Sequence, residues 1–279
     1  MDQTHCMVKT NVLVRVEGGL GDCLLSNRFI PAIREHHSDC HITFAFDNSR
    51  GETYQLDVLK HFYSTISDRY CFWGEVDKND YDFFYDLHID GMKWTTYNFD
   101  WLSRFYCFPK TFKKYDKQDH VCLHLTHASH DPVKHLRKDY ITNIVNSLYE
   151  VEKNLLVICT NEEIDCYDDV SSKVDIFCGP IIDVCEKVLT AKAFITIDSG
   201  FKYMAYANGV PTIETADYYV QVGVTRPMIK ARWLPFQERG LPLYSNPQYF
   251  AVGLKNILEN KISSIFPYHN SNDKTFKLQ

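Results

Sequence analysis

The sequence has no apolar run approaching the roughly 18 residues that a membrane-spanning helix needs, and residues 1 to 11, MDQTHCMVKTN, lack the apolar centre of a secretory signal. A cytoplasmic protein is expected. It has no Cys-x-x-Cys pair either: its ten cysteines are scattered, most of them in apolar segments such as VCLHL and LLVICT, where a thiol packs as a small hydrophobe. A disulfide framework is therefore disfavoured. Excess positive charge is also missing, since 30 Lys and Arg stand against 36 Asp and Glu for a net −6. That balance argues against a surface given over to nucleic acid but leaves room for a local basic patch. Of the twelve histidines, five lie between His120 and His135, with His120 and His124 at a spacing that would bind a metal on a helix. Their segment, HVCLH, reads as a strand, where four residues span about 13 Å, so no metal site is expected.

Complete phosphate-loop signatures are absent too. Asn11–Val16, NVLVRV, reads as a strand, followed by Glu17-Gly18-Gly19-Leu20-Gly21-Asp22 and a helical segment from Cys23 to Glu35, with Leu24, Leu25, Ile30 and Ile33 on an apolar face. The turn lacks the Gly-Lys-Ser/Thr of a Walker A loop, and Leu24 occupies the last glycine position of Gly-x-Gly-x-x-Gly. A nucleoside triphosphatase and a nicotinamide dehydrogenase are both disfavoured. Gly18, Gly19 and Gly21 still let backbone approach a ligand closely.

A second strand-to-helix turn lies in Ala193 to Glu214, AFITIDSGFKYMAYANGVPTIE: an apolar strand, Asp198-Ser199-Gly200, a helix from Phe201 to Ala207, then Asn-Gly-Val-Pro and another strand. Such a turn points unpartnered N–H groups of a first helical turn at whatever lies above the sheet edge, a natural seat for phosphate. The plainer reading is that Asp198 or Ser199 only caps the helix.

Strands and helices alternate through the 279 residues, with further strands expected at His41–Phe46, Asp80–Asp90, Val121–Leu125, Asn154–Cys159 and Val174–Phe177. Helices are expected at Gln55–Tyr63, Asp139–Val151, Ile181–Thr190 and Pro247–Glu259. This implies parallel sheets flanked by helices, with ligands at the carboxyl ends of strands, where Gly18–Asp22 and Asp86–Asp90 should both lie. The two series suggest two α/β domains, residues 1–115 and 116–279, facing a cleft; the C-terminal helix is expected to be able to pack back on the N-terminal domain. Between the series, Gly91–Lys117 interleaves aromatics, Trp94 and Trp101 among them, with Lys93, Arg104, Lys110 and further lysines. It is either a solvated linker with an amphipathic helix or a surface for an anionic, stackable acceptor.

Four pieces together resemble the bacterial heptosyltransferases of lipopolysaccharide synthesis and their relatives, which have the two-domain GT-B fold. They are Gly19-Leu20-Gly21-Asp22; Tyr81-Asp82 with Asp86-Leu87-His88; His127-Ala128-Ser129 followed by Lys134-His135; and Asp198-Ser199-Gly200 leading to Ala205 and Gly209-Val210-Pro211. They keep the family's order across residues 12 to about 214. The resemblance implies a GT-B fold of two Rossmann-like domains and an inverting, metal-independent transfer from a nucleotide-diphosphate sugar, with no other cofactor. Asp22 would be the general base. Lys134, Asp198, Ser199 and Gly200 would hold the diphosphate, and Gly19, Gly21, Asp86 and His88 the acceptor side, to which the glycine turn itself adds Gly18 and the aromatic, basic stretch adds Trp94. The sequence departs from the family at Tyr203, where a histidine is usual, and at Lys202, where a small or apolar residue is usual. Lys202 would either add charge against the diphosphate or face solvent.

Several readings stay open: a transferase acting on a glycan, a phage-type enzyme acting on hydroxymethylated cytosine in duplex DNA, an epimerase of similar architecture, and a non-catalytic protein that binds a nucleotide sugar. A flipped base would need the stacking and phosphate contacts that Gly91–Lys117 offers. Asp22 itself has the plainer alternative of capping its helix.

Overall fold

The first apolar run forms β1, Thr10–Glu17, whose Val12, Leu13, Val14 and Val16 are all inaccessible to solvent. A run buried on both faces belongs inside a parallel sheet. In the computed structural model, which describes residues 9–27, 29–48, 53–87, 110–126, 136–197, 199–214 and 247–261, β1 lies between β2, Cys40–Asp47, and β4, Phe83–Asp86; β3, Arg69–Phe72, completes the order β3-β2-β1-β4. All pairings are parallel. The chain divides into two compact units, Met1–Lys113 and Lys114–Gln279.

The helical segment expected at Cys23–Glu35 is two helices, α1, Leu20–Asn27, and α2, Ile30–His36. Pro31 is the reason: it has no N–H for a carbonyl one turn back and its ring clashes there, so it is tolerated in a first turn, where it sits in α2. Helix α3, Tyr54–Tyr63, buries Leu56, Val58, Leu59 and Phe62. The strand expected at Asp80–Asp90 is shorter than its alternating pattern. Asp77 accepts a hydrogen bond from the Asn79 N–H at 2.9 Å and starts a 3-10 turn, Lys78–Asp80, before β4 begins; residues 88–90 lie outside the described residues.

The second sheet has five parallel strands in the order β7-β6-β5-β8-β9: β5, Val121–His124; β6, Leu155–Ile158; β7, Asp175–Phe177; β8, Ala193–Thr196; β9, Thr212–Glu214. Its helices are α4, Lys138–Tyr149; α5, Ile181–Thr190; α6, Gly200–Ala207; and α7, Gln248–Leu258. Successive strand residues point to opposite faces. Val121, Leu123, Leu155, Val157, Ala193 and Ile195 thus share a core with Ile141, Ile144, Val145 and Leu148 of α4, while Cys122, Ile158 and Phe194 pack with Val184 and Val188 of α5 and Ala205 of α6. Fully burying each such aliphatic side chain contributes about 1.5–3 kcal/mol.

The C-terminal helix α7 packs within its own unit. Phe250, Leu254 and Ile257 of α7 are buried in the second unit's own core, and the Ser147 hydroxyl of α4 donates to the Pro247 carbonyl at 2.7 Å. A stripe at i, i+4 and i+7 provides one apolar face, and the second sheet occupies it.

At the amino ends of that sheet, His120 precedes β5 with its Nε2 3.0 Å from the Lys187 carbonyl. Burial, with the charges of Lys187 and Lys192, pushes its imidazole below the usual pKa against that hydrogen bond. The unfolded chain takes up a proton near pH 6.5 whereas the folded one resists, so stability falls as pH drops below about 6.5. Burial acts in the same sense on His37. In urea unfolding at pH 7 and pH 5, His120→Gln is expected to lose less stability between the two than wild type.

Candidate functional site

Two strand-to-helix turns carry most of the expected site residues, one in each unit. In the first, β1 leaves the sheet through Gly18, whose φ of +128° favours glycine. A Cβ there would also sit 2.3 Å from Asp22 Oδ2 and 2.8 Å from the Asp22 Cβ. Glycine at 18 is therefore required by both the backbone and the side chain that follows. Gly18→Ala is expected to destabilise the protein by about 1–3 kcal/mol, read by denaturant unfolding, and to displace Asp22.

Gly19 is the N-cap of α1, and the carboxylate of Asp22, three residues on, reaches back to accept the Gly19 N–H at 2.9 Å. This is half of a capping box. The capping role weighed for Asp22 is thus present. It uses Oδ2, and Asp22 is partly accessible. Gly21, inside the first turn, and Leu20 have N–H groups with no intrahelical acceptor by helix geometry.

Beside this turn, at the carboxyl ends of β1, β2 and β4, Arg15 gathers three carboxylates. Its Nη2 lies 2.6 Å from Asp47 Oδ2 and 3.9 Å from Glu17 Oε2, its Nη1 lies 3.1 Å from Asp86 Oδ2, and its guanidinium stands 4.9 Å from the centroid of the Trp73 ring. Burial opposes the Arg15 charge, but Asp47 and Asp86 outweigh it and hold the pKa above its usual value. Asp86 lies where the topology predicted, at a strand end, in register with Arg15. His88 and Trp94 lie outside the described residues.

The second turn runs from β8 into α6. Ser199 has the extended backbone of an N-cap, φ −133° and ψ 160°, yet its side chain makes no capping hydrogen bond. Its hydroxyl instead lies 3.1 Å from that of Thr196. An N-cap side chain would ordinarily meet the N–H of Phe201 or Lys202; the Lys202 N–H donates to the Ser199 carbonyl at 3.3 Å, the serine hydroxyl takes neither, and the positive end of the helix dipole adds to the first-turn N–H groups of Gly200 and Phe201. Asp198, Lys134 and His127 to Ser129 lie outside the described residues.

Lys202 requires a correction. It does not face solvent: its side chain is fully buried and its Nζ lies 3.0 Å from Oε1 of Glu214, itself fully buried at the end of β9. The ammonium also stands 4.8 Å from the ring of the buried Tyr203, the other departure from the family pattern. Nothing in the local pattern pairs positions 202 and 214. The signal for Glu214, as for Arg15, was a charge inside an apolar strand, which demands a partner.

Among the described residues no three His, Cys, Asp or Glu side chains form a group that could hold a metal ion, and no helix is long and apolar enough to cross a membrane. No family model matches the sequence, and a search of curated proteins returns no match. Among solved structures the chain is similar to the ADP-heptose LPS heptosyltransferase II of E. coli, with a TM-score of 0.55 at 9% identity over 74% of this chain and 84% of that one. It is likewise similar to a family 9 glycosyl transferase from Veillonella parvula, with a TM-score of 0.52 at 13% identity over 74% and 81%. At these identities the likeness is one of fold, and it bears out at that level the resemblance seen in the sequence. The chain has the GT-B fold, two Rossmann-like units each built on its own parallel sheet.

Proposed function

We propose that the chain is an inverting glycosyltransferase that moves a sugar from a nucleotide-diphosphate sugar to a hydroxyl acceptor. The observation that carries this reading is the turn into α6, where the Ser199 hydroxyl pairs with Thr196 rather than capping the helix. First-turn N–H groups at the carboxyl edge of a parallel sheet suit a diphosphate. A departing nucleoside diphosphate gains negative charge as the glycosidic bond breaks, so donors aimed there stabilise the transition state more than the bound substrate. Lys134 and Asp198 join this seat on the strength of the sequence resemblance.

Asp22 is assigned as the general base. An acceptor hydroxyl attacking an anomeric carbon must lose its proton, and a partly accessible carboxylate beside a glycine turn can take it. The same carboxylate caps α1 through Oδ2, and that contact would fix its orientation. The scheme uses no metal and no cofactor beyond the donor.

For the acceptor, the strand ends around Asp22 favour a glycan over duplex DNA. Among the described residues Glu17, Asp22, Asp47 and Asp86 outnumber Arg15 there, and an acidic rim repels a phosphate backbone. Labelled nucleotide-diphosphate sugars offered with either glycans or hydroxymethylated duplex test the whole assignment. Label is expected in the glycan, with inversion at the anomeric carbon by NMR. Label in the duplex reverses the choice of acceptor, and free isomerised sugar without any acceptor indicates an epimerase. Donor binding with no turnover leaves a binding protein.

A further inference from the structure

The buried pair of Lys202 and Glu214 takes no part in the chemistry above. Lys202 lies in the first turn of α6, and Glu214 ends β9. Thr196, the last residue of β8, is the register partner of Glu214, and the Thr196 hydroxyl meets that of Ser199 at 3.1 Å. The two residues that bracket the start of the helix, Ser199 and Lys202, are therefore each tied to a sheet residue, and those two sheet residues are direct neighbours. The turn is held from both sides at one level of the sheet.

Two fully desolvated charges are a poor source of stability, because a well-packed apolar pair of similar volume often folds as well or better. Apolar contacts also tolerate sliding, whereas a hydrogen-bonded ion pair without water has one good geometry. We infer that Lys202 and Glu214 are positioning residues which, together with the contact between Thr196 and Ser199, set the height and tilt of the α6 N-terminus and so aim its N–H groups at the diphosphate. The inference rests on the diphosphate reading and moves Lys202 from ligand contact to support.

The test uses the full chain in thermal unfolding and titration with ADP, UDP, GDP and CDP. At least one is expected to stabilise the wild type by mass action. Lys202→Met combined with Glu214→Leu removes both charges at once. This variant is expected to unfold at or above the wild-type temperature without ligand, while its Kd for the responding diphosphate rises at least about tenfold, since small misplacements of a preorganised site are costly. A second variant, Thr196→Val, keeps volume and ion pair but removes the hydroxyl tether, so it remains informative if the double variant does not fold; its Kd is expected to rise about threefold or more. If the wild type binds and the variants that fold bind within about twofold of it, the pair is only structural and the inference fails, while the diphosphate reading stands. If no nucleoside diphosphate stabilises the wild type, the reading and the inference fall together.

Discussion

Asp22→Asn is expected to lower the rate of sugar transfer by about 10²–10⁴-fold with little change in donor affinity. The substitution separates the two roles of this side chain. Asparagine keeps an oxygen that can accept the Gly19 N–H, so the cap bond seen at 2.9 Å survives. It has no basic oxygen to take a proton from an acceptor hydroxyl. Stability should therefore stay within about 0.5 kcal/mol of wild type, whereas Asp22→Ala, which loses cap and base together, should cost about 1 kcal/mol as well as the activity. Initial rates under saturating donor, with denaturant unfolding of both variants, provide the check. Wild-type transfer by Asp22→Asn would falsify the base assignment and leave Asp22 as a cap.

The largest effect on stability is expected at Lys202. Lys202→Met fits the cavity but removes the ammonium that lies 3.0 Å from the buried Glu214 carboxylate, and breaking a buried pair from one side costs about 3–5 kcal/mol. Unfolding of the second unit should move to clearly lower denaturant, since this is a large fraction of the stability of an ordinary domain. Glu214→Gln should fall short of wild type in the same way, because the ammonium then stays charged in a dry site. A loss below about 1 kcal/mol in both would mean that water reaches the pair, contrary to its zero exposure.

The fold was legible wherever burial imposes a period. Helix α4 follows its apolar spacing at Ile141, Ile144, Val145 and Leu148, and β1, β2, β5, β6 and β8 follow their apolar runs, because both faces of these sheets are covered. Short elements were not. The strand Arg69–Phe72 has four residues with little alternation, and the 3-10 segment Asn161–Val170 is acidic and polar along most of its length, so neither has a period to detect. Pro31 was visible, yet its break was overridden by apolar residues on both sides. In the site, glycine turns and helix starts could be placed because their chemistry is local. The partners of Arg15 and Lys202 could not, because Asp47, Asp86 and Glu214 meet them only once strands have paired. A charge in an apolar strand announces that it needs a partner without saying which.

In the first sheet the chain builds from β1 outward to β2 and β3, then returns to place β4 on the other side; in the second it builds from β5 to β6 and β7, then returns with β8 and β9. Leaving β5 toward α4 and β8 toward α6, the chain passes to opposite faces of the second sheet and opens a crevice at that topological switch point, and β1 beside β4 holds the corresponding place in the first sheet. Gly18–Asp22 leaves β1 in the first sheet, and Ser199–Gly200 follows β8 in the second. Both candidate turns thus follow the strands beside which a doubly wound sheet leaves room for a ligand.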